Sequence, residues 1–404
     1  AFSCKNSILL LGLFYCEKIL PWPRSKNTLL QNTNFSHVLV FTTIITSIVR
    51  LLAKLERLEI LVQIENLDSK DKVIIVAEIG NNHEGSFSLA KKLIDEAAQA
   101  GVDAVKFQTF QTKTFVAPTQ KERFQRMKGF ELTFDQFSKL AEHAWSNNLR
   151  FISTPLDMPS ASFLAQFVDA IKIASGDNTF YPLINYLAST QKPLIISTGF
   201  ANEATIDQLV SIVLKARHQI CLEKDFALLH CVSAYPVEKQ DANLRAISAL
   251  SNKFSDKLSV GYSDHTLGVE AATLAVALGA RIIEKHFTLD RNYSDFRDHQ
   301  LSADPDMMKQ LVKQIRDCET FLGDGKLEPR NVEIETETPV RRSIASNKNL
   351  EIGHVVEYVD LMWIRPGEGL PPGSEEDVIG KTLTGKIKEG ELFSKQHFSN
   401  IKHH

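Results

Sequence analysis

Eight short β-branched runs recur between residues 73 and 284, and each is followed by a segment with helical periodicity. The runs are Val73–Ala77, Ala104–Phe107, Arg150–Ser153, Ala170–Ile173, Pro193–Ile196, Phe226–His230, Leu258–Gly261 and Arg281–Glu284. The helical segments include Ser88–Ala100, Thr133–Asn147, Thr205–His218, Gly268–Leu278 and Pro305–Leu322. Eight strand–helix units in succession predict an α/β fold, a (β/α)8 TIM barrel of ordinary length.

A doubly wound open sheet is the competing fold for alternating strands and helices. Such a sheet usually carries a glycine-rich dinucleotide loop after its first strand. Here the first strand is followed by Glu78-Ile-Gly-Asn-Asn-His-Glu-Gly85, which is not a GxGxxG motif. The barrel is therefore the favoured prediction.

The chain divides into four predicted parts. The barrel occupies residues 71–323, and a charged, threonine-containing linker follows over residues 324–339. Residues 340–404 form a small module that frequent turn signals break into brief strands. Because a module of this size buries little apolar surface, we expect it to need a partner surface for stability. Residues 1–70 are an extension of a different character.

The N-terminal extension gives no clear role. Ile8–Tyr15 has the length of a signal-peptide core, but only Lys5 precedes it and no small-x-small cleavage site follows. Val38–Val49 is too short to span a membrane, so membrane association through residues 1–70 is not expected. The extension carries a net charge of +3 and the remainder −6, a contrast that supports a boundary near residue 70.

Overall charge and cysteine content restrict the class of protein. A formal net charge of −3 argues against a general binder of nucleic acid or anionic membranes. The five cysteines show no CxxC spacing, and an odd number suits a reducing compartment, so a cytoplasmic protein is expected. They are Cys4, Cys16, Cys221, Cys231 and Cys318.

Polar residues follow every predicted strand, where the strand ends of a barrel converge on one mouth. They are Glu78, Lys106 with Gln108, Ser153 with Thr154, Lys172 with Ser175, Ser197 with Thr198, His230 with Ser233 and Tyr235, Ser263 with His265, and Glu284 with His286. A single Ser or Thr at such a place is more often a turn residue than a ligand. The complete set predicts a functional site.

Lys106 and Lys172 lie inside otherwise apolar strands, where an unpaired ammonium is costly. Glu78 and Glu284 are one possible source of compensation. A bound phosphate or carboxylate is the other, and nearby hydroxyls would complete its cradle. These hydroxyls belong to Ser175, Ser197 and Thr198. Two lysines and several hydroxyls suit a small, doubly charged acid such as phosphoenolpyruvate.

His265 and His286 follow the last two predicted strands, so their imidazoles are expected to converge. Two neutral imidazoles can bind a divalent cation and leave positions for water and a substrate carbonyl. Alternatively, each histidine caps its strand through a backbone hydrogen bond. Glu78 and Glu284 are the candidate proton handlers, although Glu284 would serve equally well as the charge partner of Lys285 or Lys106.

Taken together, these motifs resemble the sialic acid (N-acetylneuraminate) synthase family. The residues that carry the resemblance are Glu78–Gly85, Val105–Gln108, Phe151–Pro155, Ile171–Gly176, Ile196–Gly199, Leu229–Pro236, Tyr262–Thr266 and Glu284–Thr288. The tail from Arg341 to Lys381 resembles the C-terminal SAF, or antifreeze-like, domain of that family. The resemblance covers about residues 72–400 in the expected order and does not include residues 1–70.

This resemblance implies condensation of phosphoenolpyruvate with an open-chain N-acetylated amino sugar, with phosphate released by C–O cleavage. His265 and His286 would hold the metal, most simply Mn²⁺, with Mg²⁺ or Co²⁺ as alternatives. Glu78 and Glu284 remain the catalytic candidates. Phosphoenolpyruvate would be held by Lys106, Thr154, Lys172, Ser175, Ser197, Ser233 and Ser263.

The same resemblance implies a sugar site and a partner subunit. Gln108, Tyr235 and Asp298 would face the sugar. Arg342, in the SAF-like module, would reach the sugar site of a second subunit, which makes a domain-swapped homodimer the expected assembly.

Three departures from the family pattern leave the acceptor sugar open. Some family members have Asn in place of Ser233, and the predicted loop Thr109–Glu131 has no clear sugar-binding Asn. The stretch Ser294–His299 differs from the Pro-Gly-Pro-Asp type and would be a loop over a polyol or a solvated turn. The acceptor is therefore N-acetylmannosamine or a diacetamido-trideoxyhexose, as used by legionaminic and pseudaminic acid synthases.

Two further readings compete with the synthase. A Schiff-base aldolase would use Lys172 or Lys106 as its nucleophile. A non-catalytic barrel could bind sugars during polysaccharide assembly, with residues 1–70 as a tether. Against the second reading stands the nearly complete set of polar strand ends.

Overall fold

The computed structural model describes residues 63–64, 67–69, 72–219, 225–254 and 256–398. The chain divides after Gly323 into two compact units. The division coincides with the end of the predicted barrel domain. No helix in the described ranges is long and apolar enough to cross a membrane.

The first described elements are two short antiparallel strands, β1 (Gln63–Ile64) and β2 (Leu67–Asp68). Ile64 is fully buried and packs, with Leu67, among apolar residues such as Ile74 and Ile282 at the strand starts inside the barrel. The predicted boundary at residue 70 is therefore too late, because this hairpin fills the N-terminal end of the barrel. Residues 1–62, including both predicted apolar runs, lie outside the described part of the chain.

Eight parallel strands form a closed barrel in which the last strand pairs with the first. They are β3 (Ile74–Gly80), β4 (Ala104–Thr109), β5 (Arg150–Pro155), β6 (Ala170–Ile173), β7 (Leu194–Ser197), β8 (Phe226–Cys231), β9 (Ser259–Asp264) and β10 (Ile282–His286). The predicted (β/α)8 barrel is thus confirmed. Each strand lies within a few residues of its predicted position.

The helices follow the periodic segments of the sequence. The first unit contains α1 (Phe87–Ala100), α2 (Thr112–Phe115), α3 (Lys121–Phe130), α4 (Phe134–Ser146), α5 (Met158–Leu164), α6 (Tyr181–Ala188), α7 (Glu203–Gln219), α8 (Arg245–Phe254), α9 (Glu270–Ala277), α10 (Arg297–Leu301) and α11 (Pro305–Leu322). Thr133 and Gln136 form a capping box at the start of α4, and Asp304 caps α11 ahead of Pro305. The segment predicted as the loop Thr109–Glu131 contains α2 and α3 instead.

Side chains alternate across the barrel wall because successive strand residues point to opposite faces. Outward residues such as Phe107 and Phe151 stack on each other and pack against the helices. Inward residues are apolar only at the strand starts, for example Val76 and Ile152. Toward the carboxyl ends of the strands the inward residues become polar. The barrel interior therefore has an apolar half at the strand starts and a buried polar cluster at the strand ends.

The second unit is small and has its own apolar core around Ile344 and Phe393. It contains α12 (Ile334–Val340) and two antiparallel strands, β11 (Ser343–Ser346) and β12 (Leu361–Ile364). Residues 324–339 are therefore not a plain linker, since α12 begins within them. The Gly367 amide donates to the carbonyl of Thr338 at 2.7 Å, which fixes this helix to the module.

Asp360 provides a test of stability in the second unit. Its side chain is 1% exposed and lies 2.6 Å from Lys348 and 2.7 Å from His354, and the Glu357 amide donates to it at 2.9 Å. Burial raises the pKa of Asp360, but these three partners outweigh burial and lower the pKa to about 2.

A carboxyl group whose folded pKa is depressed stabilises the fold above its unfolded pKa and loses that effect as pH falls through the folded value. We expect Asp360→Asn to destabilise this unit by about 2 kcal/mol at pH 7 and by about half as much at pH 3. Hydrogen exchange across residues 343–364 of the full chain, compared with wild type at each pH, measures both differences. The control Asp377→Asn removes an exposed ion pair to Lys381 and should change little. Equal differences at pH 7 and pH 3 would contradict this assignment.

Candidate active site

Glu78 and Lys106 form the centre of the polar cluster at the barrel mouth. Both are inward residues of adjacent strands, and Lys106 Nζ lies 2.8 Å from Glu78 Oε2. Lys106 also donates to Thr154 Oγ1 at 3.3 Å, and Gln108 Nε2 donates to Glu78 Oε1 at 3.2 Å. A Cβ on Gly80, whose φ is +54°, would lie 3.1 Å from Glu78 Oε1. Glycine therefore leaves room for this carboxylate.

Glu284 connects the two buried lysines. Its Oε2 lies 3.5 Å from Lys106 Nζ and 3.9 Å from Lys172 Nζ. Ser263 donates a hydrogen bond to Glu284 Oε1 at 2.7 Å, and Lys172 donates to Ser197 Oγ at 2.6 Å. The structure thus brings together five strand-end residues that the sequence placed on five different strands.

The two carboxyl groups have opposite electrostatic environments. Burial raises the pKa of Glu78 above its ordinary value, and Lys106 offsets this only in part. Burial also acts to raise the pKa of Glu284, but Lys106 and Lys172 outweigh it and hold the pKa below the ordinary value. When the pKa values of two carboxyls are shifted in opposite directions, the one with the raised pKa can transfer protons and the one with the lowered pKa can stay ionised beside the lysines.

The pKa values of the two buried lysines, Lys106 and Lys172, are also shifted in opposite directions. Burial acts to lower the pKa of Lys106, but Glu284 and Glu78 outweigh it and raise the pKa, so this lysine stays charged. Burial lowers the pKa of Lys172, and the more distant Glu284 does not compensate fully. The charge of Lys172 is therefore less well compensated by neighbouring carboxylates than the charge of Lys106.

A glycine turn after β7 brings two serine hydroxyls together. The Gly199 amide donates to Ser175 Oγ at 3.2 Å, and a Cβ on Gly199 would lie 2.3 Å from Ser233 Oγ. Ser233 Oγ is buried without a hydrogen-bond partner among the described residues. Asn178 holds the turn by donating to the carbonyls of Ser197 at 3.3 Å and Gly199 at 2.8 Å. Hydroxyls and a nearby lysine at such a turn form a cradle for an anion.

The predicted histidine pair is also formed, since the His265 and His286 rings lie 5.2 Å apart between centroids. His265 Nδ1 lies 2.8 Å from the Val232 carbonyl, so Nδ1 carries a hydrogen and, in the neutral ring, Nε2 keeps its lone pair. Burial acts to lower the pKa of His265, but Cys231 and the Val232 carbonyl outweigh it and raise the pKa. His286 Nδ1 is buried and has no hydrogen-bond partner in the described chain. Burial, with His265 next to it, holds the pKa of His286 well below its usual value, so this ring is neutral.

An ion pair on the outer face of the barrel supports both histidine strands. Lys285 and Asp264 are fully buried, their charged atoms are 2.9 Å apart, and Lys285 also donates to the Thr266 carbonyl at 2.5 Å. Lys285 is thus compensated by Asp264, and Glu284 is left to Lys106 and Lys172. Because these residues alternate with His265 and His286, the pair fixes the strand ends from behind.

The donor set fits a divalent cation. Two imidazoles, one of them with an unpartnered buried nitrogen, are ligands that Mn²⁺, Co²⁺ and Zn²⁺ accept. Within the described ranges there is no group of three or more His, Cys, Asp or Glu side chains placed to bind a metal.

A cavity of about 1100 Å³ opens above this cluster. Six of the predicted site residues line it, namely Gln108, Ser175, Ser233, Tyr235, His286 and Asp298. Its outer wall contains the apolar residues Phe115, Met127, Phe130 and Leu156 and the basic residues Arg123 and Arg126. None of these six residues was assigned to the site from the sequence.

Tyr235 and Asp298 lie on the rim of the cavity. Tyr235 packs on His265 with ring centroids 4.3 Å apart, and the Arg297 guanidinium lies 4.5 Å from the Tyr235 ring centre on its other side. Asp298 is buried, its Oδ1 has no hydrogen-bond partner among the described residues, and burial raises its pKa. Asp298 is therefore not part of a solvated turn. Arg342 belongs to the second unit, where it donates to the Trp363 carbonyl at 2.5 Å.

Three strand-end residues named from the sequence point away from the cavity. Ser153 bonds to Thr109, Thr198 donates to the Leu229 carbonyl, and His230 contacts the Ala242 carbonyl. The inward neighbour of His230 is Cys231, whose sulfur lies 3.8 Å from His265 Nδ1. Strand parity, counted from Leu229, would have identified Cys231. Glu84 and Asp177 also line the cavity and follow predicted strand ends, so position alone could have identified them.

Comparison with known proteins agrees with this architecture. Residues 93–327 match the NeuB family model. N,N'-diacetyllegionaminic acid synthase of Legionella pneumophila is 39% identical over 80% of this chain and 94% of its own length. N-acetylneuraminate-9-phosphate synthase of Drosophila melanogaster is 33% identical over 80% and 94%.

A solved structure of N-acetylneuraminic acid (sialic acid) synthetase from Leptospira borgpetersenii is also similar. It superposes with a TM-score of 0.64 at 38% identity, and the match covers 68% of this chain and 94% of that one. A family model that matches more than half of the chain, and relatives that match most of it, lead to one conclusion. This chain belongs to the NeuB family.

Proposed function

We propose that this protein is a nonulosonic acid synthase that condenses phosphoenolpyruvate with an open-chain N-acetylated amino sugar and releases phosphate by C–O cleavage. One observation carries the proposal: two buried lysines and two carboxyls of opposite pKa shift lie beside a histidine pair at the barrel mouth. The names of the relatives, which are synthases of legionaminic, pseudaminic and neuraminic acids, support the same reaction class.

The charge of the cluster suits phosphoenolpyruvate. Lys172 pairs with Glu284 at 3.9 Å, and burial lowers its pKa, so a bound anion next to Lys172 would stabilise its ammonium form. Hydroxyls that surround it would provide the remaining hydrogen bonds, namely those of Thr154, Ser175, Ser197, Ser233 and Ser263.

Glu78 is the better candidate for proton transfer. Its raised pKa brings it closer to neutral pH, where a carboxyl group can both give and take a proton. Glu284, whose pKa is lowered, would stay ionised and neutralise the lysines throughout turnover. The proton of Glu78 would be exchanged with the acceptor carbonyl oxygen or with the water that adds at C2.

A divalent cation, most simply Mn²⁺, would be held by His265 and His286. When bound, it would supply Lewis-acid polarisation of the acceptor carbonyl. His265 would coordinate through Nε2, because its Nδ1–H is engaged by the Val232 carbonyl. Tyr235, packed on His265, would hold that ring in place.

The acceptor is N-acetylmannosamine or a diacetamido-trideoxyhexose. Gln108, Tyr235 and Asp298 would face it, and Asp298 Oδ1, which has only a long 3.5 Å ion pair with Arg297 Nε among the described residues, would accept a hydrogen bond from the sugar. The outer wall presents Met127 and Phe130, which suit the methyls of acetamido and 6-deoxy groups, and also Arg123 and Arg126, which suit an anionic group, so it accommodates either class. The relatives named for diacetyllegionaminic acid are 39% and 37% identical and the solved N-acetylneuraminic acid synthetase is 38% identical, so sequence identity leaves both acceptor classes open.

We further propose that the second unit is SAF-like and that Arg342 serves the sugar site of a partner subunit in a homodimer. The small apolar core of this unit supports the proposal, because a module of this size gains stability from a partner surface. The guanidinium of Arg342 would present its remaining N–H groups to the sugar hydroxyls of the partner.

The acceptor and the metal can be tested in one assay of phosphate release. We expect turnover only with phosphoenolpyruvate, a divalent cation and a suitable sugar together, and the kcat/KM values for N-acetylmannosamine, its 6-phosphate and the diacetamido-trideoxy sugars identify the acceptor. His265→Ala and His286→Ala should each lower kcat at least about a hundredfold, since Lewis-acid catalysis contributes several kcal/mol. Full activity of either variant, or after chelation, would refute the metal assignment.

The assignment of Glu78 is tested by Glu78→Gln, which keeps the shape of the side chain and removes its proton exchange. We expect kcat to fall about 10²–10⁴-fold, as for loss of a general acid–base group, with little change in the KM for phosphoenolpyruvate. The pH dependence of kcat should also lose the limb that reports titration of Glu78, which is the acidic limb if Glu78 acts as a base and the alkaline limb if it acts as an acid. Retention of that limb in an active Glu78→Gln enzyme would transfer the role to another group.

The Schiff-base reading is favoured by one observation, the lowered pKa of Lys172. An aldolase of that type forms an imine with its substrate, so borohydride would trap a covalent adduct detectable by mass spectrometry. We expect none, because Lys172 lies 2.6 Å from Ser197 Oγ in a cradle suited to an anion. Recovery of an adduct on Lys172 would overturn the proposed function. Sugar binding in calorimetry without turnover on any acceptor would favour the non-catalytic barrel.

A further inference from the structure

One stretch of the cavity rim differs from the family pattern and is held by contacts that the proposed reaction does not explain. This rim segment (residues 290–301) follows β10 and contributes five residues to the cavity lining, namely Ser294, Asp295, Phe296, Arg297 and Asp298. The Arg291 guanidinium donates to the Gln300 carbonyl at 2.9 Å and closes the base of the segment.

Glu84, in the loop after β3, joins that loop to the rim segment. Its Oε1 accepts hydrogen bonds from the hydroxyl of Ser294 and from His299 Nε2, the latter at 3.2 Å. His299 is 1% exposed, and its Nδ1 lies 2.6 Å from the Thr288 hydroxyl. One carboxylate thus holds two points of a segment more than two hundred residues away in the chain.

A second connection runs in parallel. Asn82 Nδ2 donates to the Phe287 carbonyl at 2.8 Å and to Ser302 Oγ at 3.0 Å. Ser302 in turn donates to the carbonyl of Asp298 at 2.5 Å. The backbone of Asp298 is therefore fixed through Ser302, while Glu84 holds the residues on either side of it.

The loop that carries Asn82 and Glu84 is itself rigidly placed. Glu84 has a φ of +45°, a conformation that a residue with a Cβ adopts only when its surroundings enforce it. The next residue, Gly85, packs so closely on α3 that a Cβ would lie 2.1 Å from the Gly129 carbonyl oxygen. Phe130 at the end of α3 contacts Phe296 of the rim segment edge to face at 5.1 Å.

We propose that Glu84 is a positioning residue for the acceptor sugar. By holding Ser294 and His299, it keeps the Asp298 carboxylate facing the cavity and the Arg297 guanidinium over Tyr235. Among the residues that the structure describes, no hydrogen bond or ion pair joins Lys106 or Lys172 to the rim segment, so the effect falls on the acceptor and not on phosphoenolpyruvate.

The proposal rests on the proposed function for its kinetic test. In phosphate-release assays with N-acetylmannosamine and with a 2,4-diacetamido-2,4,6-trideoxyhexose, Glu84→Ala should raise the acceptor KM about tenfold. The KM for phosphoenolpyruvate should stay within about twofold of wild type. Glu84→Gln keeps an oxygen acceptor for Ser294 and His299 and should restore most of the acceptor affinity. The matched control Glu238→Ala, an exposed glutamate after β8, should match wild type.

A second measurement needs no turnover. Hydrogen exchange of the full chain should be faster in peptides covering residues 290–301 of Glu84→Ala, and unchanged in peptides covering β4 and β6. Wild-type acceptor KM and wild-type exchange in Glu84→Ala would overturn the positioning role. Parallel rises in both KM values, with a lower Tm and faster exchange throughout the barrel, would also overturn it in favour of a general structural role. Absence of turnover in wild type would refute the proposed function alone, and exchange would still decide the role of Glu84.

Discussion

The interior of the barrel mouth depends on the mutual compensation of Glu78, Lys106, Glu284 and Lys172. An ammonium or carboxylate buried without a partner would cost several kcal/mol, so these strand ends require one another. Lys106 lies between both carboxyls, at 2.8 Å and 3.5 Å, whereas Glu284, at 3.9 Å, is the one carboxylate that pairs with Lys172 in the described part of the chain. This asymmetry leaves one side of the cluster short of negative charge. The contacts that keep the charged cluster stable are thus the same contacts that prepare it for an anion.

Strand alternation separates the two tasks of the last two strands. Their inward residues, His265 and His286, face the cavity, while Asp264 and Lys285 pair on the outer face with no solvent exposure. A buried pair of this kind adds little net stability relative to apolar residues, but removal of one partner is expensive. Its contribution here is geometric, because it fixes the ends of the two strands from which the His265 and His286 side chains project.

The sequence was sufficient to predict the barrel, its eight strands and the residues at the strand ends, because period-two and period-3.6 patterns report local structure directly. It did not resolve which strand-end residues point inward. At the end of β8, for example, His230 was expected in the site, but Cys231 is the residue that faces it. The sequence also missed the packing of Ile64 into the barrel and the contact of Glu84 with His299. Both depend on which distant segments meet in space, and no local periodicity encodes that.

The cavity has two zones that are built differently. The deep zone is made of strand residues, whose positions are fixed by barrel register and by charges that must be paired. The outer zone is made of α2, α3 and the rim segment, which are held by a few side-chain hydrogen bonds and aromatic contacts. Changes in the outer zone therefore need not disturb the deep zone. A barrel of this design can keep its deep zone while its outer zone varies, consistent with relatives that are named as synthases of different acids, namely diacetyllegionaminic acid, pseudaminic acid and N-acetylneuraminate 9-phosphate.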